Sequence, residues 1–133
     1  MFGTARVFSY ASVLEYAEVF GDAEIYGDAL VFGDARVFGD ARVFGSASVA
    51  GDAAISSDKD YIVFKNFWSS GRYFTWTRSN NIWSAGCFRG TGKELVKKAY
   101  KDSKESGDHY KMFVDFVNNI VIPQLNKGGE TTK

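Results

Sequence analysis

Residues 32–43 read Phe-Gly-Asp-Ala-Arg-Val-Phe-Gly-Asp-Ala-Arg-Val, one six-residue unit written twice. Nine such units run without a break from Phe2 to Ile55. In every unit alanine fills one column, and valine or isoleucine fills the column two residues later. Strand side chains alternate with period two, so both columns point to the same side of an extended strand. The repeat therefore predicts nine short strands with one buried apolar face.

The Gly-Asp pair in most units predicts a turn after each strand, because glycine tolerates positive φ and aspartate can bond nearby amides. A unit this short cannot bury its own apolar face, so the units must stack on one another. They resemble the hexapeptide repeats of left-handed β-helices, in which an aliphatic residue precedes a small one by four positions, as in Val31-Phe-Gly-Asp-Ala35. The resemblance implies about three coils, each built from three units.

Charges spaced 18 residues apart support a three-sided coil. Arg6, Glu24 and Arg42 alternate in sign, as do Glu18 and Arg36. Stacked strands lie about 4.8 Å apart. At that separation opposite charges stabilise by a few tenths of a kcal/mol and like charges destabilise. The alternation favours a coil over a flat sheet.

A column of large apolar residues follows the valines, and simple alternation turns it outward or onto the corners. It holds Phe2, Phe8, Leu14, Phe20, Tyr26, Phe32, Phe38 and Phe44, then Ala50. Stacked rings would form ladders that stabilise the coil and are partly covered by the rest of the chain. Alternatively they form an oligomer or partner surface, for which we name Phe20, Phe32, Phe38 and Phe44.

After Ile55 the six-residue period stops, and residues 56–60 predict a connector. Residues 61–67, 72–78 and 82–88 are rich in aromatic and β-branched side chains, which predicts a three-stranded antiparallel meander.

Two helices are predicted after the meander. Thr91 and Glu94 have the spacing of a capping box, which predicts a helix to about Ser103. A break near residues 106–108 precedes a longer helix that Pro123 ends or kinks. The predicted fold is mainly β with α. A short left-handed parallel β-helix spans residues 1–58, and a βββαα module caps it over residues 59–133, with a frayed tail from Asn126.

Composition argues for an ordered protein with two modules and limits its location. No segment approaches the roughly 20 apolar residues that span a bilayer, and the N-terminus lacks a signal-peptide pattern, so we expect a cytoplasmic protein without membrane contact. Residues 1–58 carry nine acids and three bases, whereas residues 59–133 carry seven acids and thirteen bases. This asymmetry either lets the two halves dock or marks acidic and basic faces for partners.

The sequence predicts no catalysis, cofactor or metal. Many hexapeptide-repeat proteins are acyltransferases with a histidine base, and related carbonic anhydrases need three histidine ligands. Here the single histidine, His109, lies outside the repeats and reads as a surface or cap residue. Gly90-Thr-Gly-Lys93 departs from a phosphate loop, since Cys87 stands at the first glycine position and Glu94 replaces Ser or Thr. The lone Cys87 reads as a small buried residue.

Two sets of residues are candidates for binding. Asp22, Asp28, Asp34 and Asp40 stand at the corners, where they either close the turns or imitate nucleic-acid phosphates toward a basic groove on a partner. A weaker candidate for nucleic-acid binding combines the aromatic and basic residues Arg72, Trp76, Arg78 and Trp83, for which core packing is the competing explanation.

The segment after the repeats carries a second resemblance, over residues 60–121. It includes Tyr61-Ile-Val-Phe, Trp68-Ser-Ser-Gly-Arg72, Thr77-Arg-Ser-Asn80, Gly86-Cys-Phe88 and Gly90-Thr-Gly92. These residues resemble a tail found behind Gly-Asn/Asp-Ala-x-Val repeats in uncharacterised bacterial and phage or prophage proteins. The resemblance implies a mobile-element origin and carries over no functional residue.

Three functional hypotheses follow from these observations. The leading one is a non-enzymatic protein that binds a protein or a protein–nucleic acid complex, such as an anti-CRISPR-like inhibitor of a host defence complex. The first alternative is an acyltransferase-like enzyme with a site between subunits. The second is a structural protein that self-assembles through aromatic ladders and open coil ends.

Overall fold

The computed structural model describes residues 4–86 and 88–130 and combines many short strands with helices. Each repeat contributes one two-residue strand, and these strands form three parallel sheets, ordered β1-β4-β7, β2-β5-β8 and β3-β6-β9. Successive strands therefore enter different sheets, and the chain returns to the same sheet at every third unit. The strands are β1 (Arg6–Val7), β2 (Ser12–Val13), β3 (Glu18–Val19), β4 (Glu24–Ile25), β5 (Leu30–Val31), β6 (Arg36–Val37), β7 (Arg42–Val43), β8 (Ser48–Val49) and β9 (Ala54–Ile55).

Backbone hydrogen bonds join each coil to the next. The Arg6 amide donates to the Ala23 carbonyl at 3.0 Å, and the Phe8 amide donates to the Ile25 carbonyl at 2.9 Å. This register places Arg6 beside Glu24 and Glu24 beside Arg42, as the charge alternation predicts. The alanine and valine columns of the second and third coils are buried and form the core.

The corners are tight turns that depend on glycine. Gly21 has a φ of 68°, and the Ala23 amide donates to the Phe20 carbonyl at 3.4 Å, an arrangement that corresponds to a type II′ turn. A Cβ added to Gly21 would lie 3.0 Å from the Gly39 nitrogen of the next coil. Glycine therefore suits this position both for its backbone conformation and for close stacking, whereas Ser9 and Glu15 adopt the same positive φ at two corners of the first coil.

The meander has four strands instead of the predicted three: β10 (Tyr61–Lys65), β11 (Tyr73–Thr77), β12 (Ile82–Ala85) and β13 (Phe88–Gly90), which pair antiparallel in chain order. The prediction of one strand over residues 82–88 is wrong, because the chain turns at Gly86, whose φ is 60°, and β13 pairs back on β12. The predicted connector contains a 3₁₀ turn at Asp58–Asp60.

Side chains that follow the repeats close the C-terminal end of all three parallel sheets. The Arg42 amide donates to Asp58 Oδ1 at 3.0 Å, the Ser48 amide to Thr75 Oγ1 at 3.0 Å, and the Ala54 amide to Ser79 Oγ at 2.8 Å. The repeats and the meander belong to one compact unit, Met1–Gly90, and the second unit is Thr91–Lys133. The boundary expected at residue 58 is a change of sequence pattern inside the first unit.

The second unit contains α1 (Gly92–Asp102), α2 (Lys104–Phe116) and α3 (Ile122–Glu130). The predicted capping box is present, with the Glu94 amide donating to Thr91 Oγ1 at 3.1 Å and the Thr91 amide donating to Glu94 Oε1 at 2.8 Å. The predicted break at residues 106–108 is wrong, since the helices separate at Ser103, whose hydroxyl caps α2. Gly107 lies inside α2, where an added Cβ would be 2.1 Å from the Tyr100 ring.

The chain stays helical through Pro123, which the sequence predicted to end or kink the helix. A π-helical turn at Val117–Val121 precedes it, and the Ile122 amide donates to the Val117 carbonyl five residues back. Proline has no amide hydrogen to donate. In the π-helical turn just before it, backbone hydrogen bonds join residues five apart instead of four apart. Helix α3 passes Asn126, where fraying was expected, and reaches Glu130, while residues 131–133 lie outside the described residues.

Replacing Gly27 or Gly45 by alanine tests the stacking requirement. Both glycines occupy the same corner with φ values of 68° and 66°, but an added Cβ at Gly27 would lie 2.9 Å from the Gly45 nitrogen, whereas at Gly45 it meets nothing within 4 Å. We expect both variants to lose about 1 kcal/mol of unfolding free energy from backbone strain. Gly27→Ala should lose a further 1–3 kcal/mol or so from overpacking. Urea denaturation measures both, and equal losses would contradict the steric explanation.

Candidate functional site

The corner aspartates lie on three separate edges of the coil. Asp22 and Asp40 stack on one edge, hereafter the Asp22–Asp40 edge, where the Asp22 amide donates to the Gly39 carbonyl at 3.0 Å. Asp28 lies on a second edge and Asp34 on a third, because consecutive corners follow different sheets. The four predicted aspartates therefore do not form one acidic face, and the structure brings together only Asp22 and Asp40 among them.

The aspartate side chains do not close these turns. Each corner is closed by its glycine and by the backbone bond from the following alanine. Among the described residues, the hydrogen bond recorded for these four carboxylates is the one that the Thr4 hydroxyl donates to Asp22. All four aspartates are exposed, and the salt bridges of the described chain involve other acids. Apart from the Thr4 contact to Asp22, these carboxylates therefore face solvent, where a partner can reach them.

Asp22 and Asp40 also carry an energetic cost. Their positions stack on neighbouring strands, about 4.8 Å apart, and like charges placed directly opposite each other are destabilising. The sheet faces show the opposite arrangement, since Arg6 pairs with Glu24 and Arg42 pairs with Asp58. The Asp22–Asp40 edge therefore places two like charges next to each other, unlike the sheet faces.

Aromatic rings stack along the edges as the ladder prediction requires. The Phe20 and Phe38 rings are stacked nearly parallel, with centroids 5.2 Å apart and an interplanar angle of 6°. Tyr26 stacks between Phe8 and Phe44 at 5.1 and 5.2 Å. Phe2, the first expected member of a ladder, lies outside the described residues.

The candidate partner-binding rings differ in exposure and surroundings. Phe20, Phe32 and Phe38 are half-buried, whereas Phe44 is 44% exposed. The Arg89 guanidinium of the meander lies over the Phe32 ring at 4.7 Å, so the meander covers part of that edge. The Asp22–Asp40 edge therefore combines two exposed carboxylates with the two stacked rings of Phe20 and Phe38.

The candidate nucleic-acid-binding residues do not form a stacking site. Trp76 and Trp83 are 0% and 1% exposed, and their rings lie in the core of the meander. The Trp76 indole donates to Asn81 Oδ1 at 2.7 Å, and Trp83 stacks on Phe64 at 5.7 Å. Burial leaves neither ring with a free face for a base.

The two arginines of that set make different contacts. Arg78 lies 3.8 Å from Asp60, and its amide donates to the Asp60 carbonyl at 2.8 Å. Arg72 is exposed and lies against Gly86, since a Cβ there would be 2.5 Å from the Arg72 guanidinium. Core packing, the competing explanation, accounts for the two tryptophans.

A cleft that sequence reasoning did not predict lies where the third coil meets the meander. It encloses about 480 Å³ and is lined by Phe44, Gly45, Ser46, Asp58, Tyr61, Val63 and Tyr73. The Tyr61 hydroxyl donates to the Arg42 carbonyl at 2.8 Å, and burial raises the pKa of Tyr61 to about 12. A hydrogen bond to Asp58 raises the pKa of the neighbouring Arg42 guanidinium. No sequence signal indicated this cleft, because its residues come from distant segments.

The described residues include no cluster of three or more His, Cys, Asp or Glu side chains that could hold a metal ion. His109 lies on α2, with its Nδ1 atom 2.8 Å from the Glu105 carbonyl oxygen. Cys87, predicted to be a small buried residue, lies outside the described residues. Over residues 4–86 and 88–130, none of the helices has the length and apolar character needed to cross a bilayer.

Comparison with known proteins found no matching family model, no matching curated protein and no matching solved structure. Function therefore has to be inferred from the geometry of this chain.

Tyr61 gives the first unit a testable alkaline pH dependence. Its pKa rises from the usual 10 to about 12 on folding, so between these values the unfolded chain releases a proton that the folded chain keeps. The free energy of unfolding should therefore fall as pH rises from 10 to 12, by up to about 2–3 kcal/mol. Tyr61→Phe should lose about 1 kcal/mol near neutral pH, for the hydrogen bond to Arg42, and show a shallower alkaline decline.

Urea denaturation at several pH values measures this dependence. Tyr73→Phe is the matched control, since Tyr73 lines the same cleft but is 46% exposed. If the free energy of unfolding of Tyr61→Phe fell as steeply between pH 10 and 12 as that of the unmodified chain, the raised pKa of Tyr61 could not be the cause.

Proposed function

We propose that this chain is a non-enzymatic interaction protein that binds a basic surface of another macromolecule through the Asp22–Asp40 edge. The observation that carries the proposal is the availability of these carboxylates. They are exposed, they do not close their own turns, and none of the salt bridges in the described chain includes them.

The geometry of the edge suits a surface that normally binds nucleic acid. Asp22 and Asp40 stack about 4.8 Å apart along this edge, while each DNA strand carries one phosphate per 3.4 Å or so of helix axis. A basic groove is attracted to both by the same long-range electrostatics. Phe20 and Phe38 supply an adjacent apolar contact, which a partner needs for binding energy beyond steering.

The partner that fits best is a protein, or a protein–nucleic acid complex, whose nucleic-acid-binding groove is basic. The resemblance of residues 60–121 to phage and prophage proteins supports a more specific role. In that role the chain acts in the cytoplasm as an anti-CRISPR-like inhibitor, occupying the nucleic-acid groove of a host defence complex.

The hand of the coil is part of the same proposal. The Val31-Phe-Gly-Asp-Ala35 pattern and the two-residue strands that alternate with four-residue corners support a left-handed β-helix. An experimental structure of the chain would measure the hand directly.

Removing the charge of the Asp22–Asp40 edge should weaken partner binding. The tagged chain is incubated with lysates of several bacterial hosts, and bound proteins are identified with and without competing duplex DNA. We expect a basic nucleic-acid-binding protein that DNA displaces. The double variant Asp22→Asn with Asp40→Asn should bind it at least about tenfold more weakly, a loss of about 1.4 kcal/mol.

A matched control distinguishes the edge from overall charge. Asp28→Asn with Asp34→Asn removes the same charge from the other two edges and should retain capture. The free energy of unfolding of the Asp22/Asp40 variant should stay equal or rise, because a like-charge contact is removed. Capture that survives the Asp22/Asp40 change, that both double variants lose equally, or that DNA does not displace would overturn the proposal.

A further inference from the structure

The first coil exposes the apolar core that later coils bury. Strands β1, β2 and β3 each lie at the end of their sheet, with a neighbouring strand on one side only among the described residues. Val7, Ala11, Val13 and Ala17 are partly exposed, whereas their equivalents one coil later are 0–1% exposed. Within residues 4–86 this end therefore presents unpaired strand edges around an apolar centre, a surface that favours addition of further strands.

The corners of the first coil differ from the others in sequence. Tyr10 and Tyr16 occupy the column that holds aspartate in most later units, and they are 85% and 82% exposed. Leu14 and Phe8 beside them are 50% and 41% exposed. Apolar and aromatic side chains thus replace acidic ones at the coil whose strand edges are open.

The opposite end of the coil is closed. The amides of Arg42, Ser48 and Ala54 donate to Asp58, Thr75 and Ser79, one bond for each sheet. A second chain cannot extend the sheets there without displacing these side chains. Coils of different copies can therefore join through their first coils, and such an isologous contact closes at two copies instead of growing into a fibre.

Charge selects how two first coils can meet. A two-fold axis perpendicular to the coil must pass through one of the three sheets. An axis through β1 places Arg6 against the second copy's Arg6, and an axis through β3 places Glu18 against the second copy's Glu18. An axis through β2 instead places Arg6, whose guanidinium also pairs with Glu24 of its own chain, near the second copy's Glu18.

The axis through β2 also brings the exposed tyrosines together. It places the corner that carries Tyr10 over the second copy's corner that carries Tyr16. Ser12 of β2 lies on this axis, so it faces Ser12 of the second copy. The reversal of direction makes the meeting strand edges antiparallel, so they can exchange backbone hydrogen bonds.

We propose that the first coil is a homodimer interface, in which two copies meet head to head about a two-fold axis through β2. The same axis passes through the opposite corner, so it joins the Asp22–Asp40 edges of the two copies end to end. The dimer does not depend on the proposed function, and each can fail without the other.

Substitution of Ser12 tests both the dimer and its axis. We expect the unmodified chain to sediment as a monomer–dimer equilibrium, with no larger species. Ser12→Glu and Ser12→Lys each place like charges on the axis and should raise the dimer Kd at least about tenfold. An equimolar mixture of the two variants should form a 1:1 heterodimer, because the axis then joins opposite charges.

Ser46→Asp is the control, since it adds the same negative charge in the third coil and restores the residue common in that column. It should leave the dimer Kd unchanged. Added salt should weaken the unmodified dimer by screening Arg6 from Glu18. A monomer at every concentration, a growing series of oligomers, a dimer that strengthens with salt, or a mixture that stays monomeric would overturn the proposal.

Discussion

The structure depends on the close stacking of one coil on the next. Backbone amides of each coil donate to carbonyls 17 residues ahead, from Thr4 to Phe38, and this ladder holds the three sheets together. The ladder closes at the corners only if two backbones approach within van der Waals contact, as they do at Gly27 and Gly45. Buried alanine, valine and isoleucine side chains then fill the core. Glycine takes the positive-φ corner position from Gly21 to Gly51, whereas Ser9 and Glu15 take it in the first coil.

The two ends of this hydrogen-bond ladder differ in what lies against them. At the C-terminal end, Asp58, Thr75 and Ser79 accept hydrogen bonds from the last coil, so the meander completes the repeats as well as following them. At the first coil the described residues offer no such acceptor or donor, and the core columns are partly exposed. This asymmetry is the reason that we propose association through the first coil and not growth through both ends.

The candidate surface arises from side chains that the frame does not require. Glycine and the backbone close the corners, so aspartate at the next position is free to be selected for its charge. On the sheet faces opposite charges are paired, whereas Asp22 and Asp40 repeat the same charge along one edge. A stability cost without internal compensation is typical of functional surfaces. The buried Trp76 and Trp83 show the reverse case, in which residues suited to nucleic-acid binding serve packing.

The sequence by itself determined the repeat strands, the ring ladders and the Thr91 helix start, because each follows from local periodicity or spacing. The three-sheet arrangement was implied by the resemblance to hexapeptide repeats and supported by the alternation of charges 18 residues apart. The 18-residue period also separates Asp28 and Asp34 from the Asp22–Asp40 edge, but the sequence could not show that Trp76 and Trp83 are buried. It also missed the turn at Gly86, the helix break at Ser103 and the cleft around Tyr61. These features were decided by tertiary contacts between distant segments, such as Arg42 with Tyr61 and Tyr100 with Gly107. Local patterns specify which way a side chain points, but burial and pairing depend on what the rest of the chain brings against it.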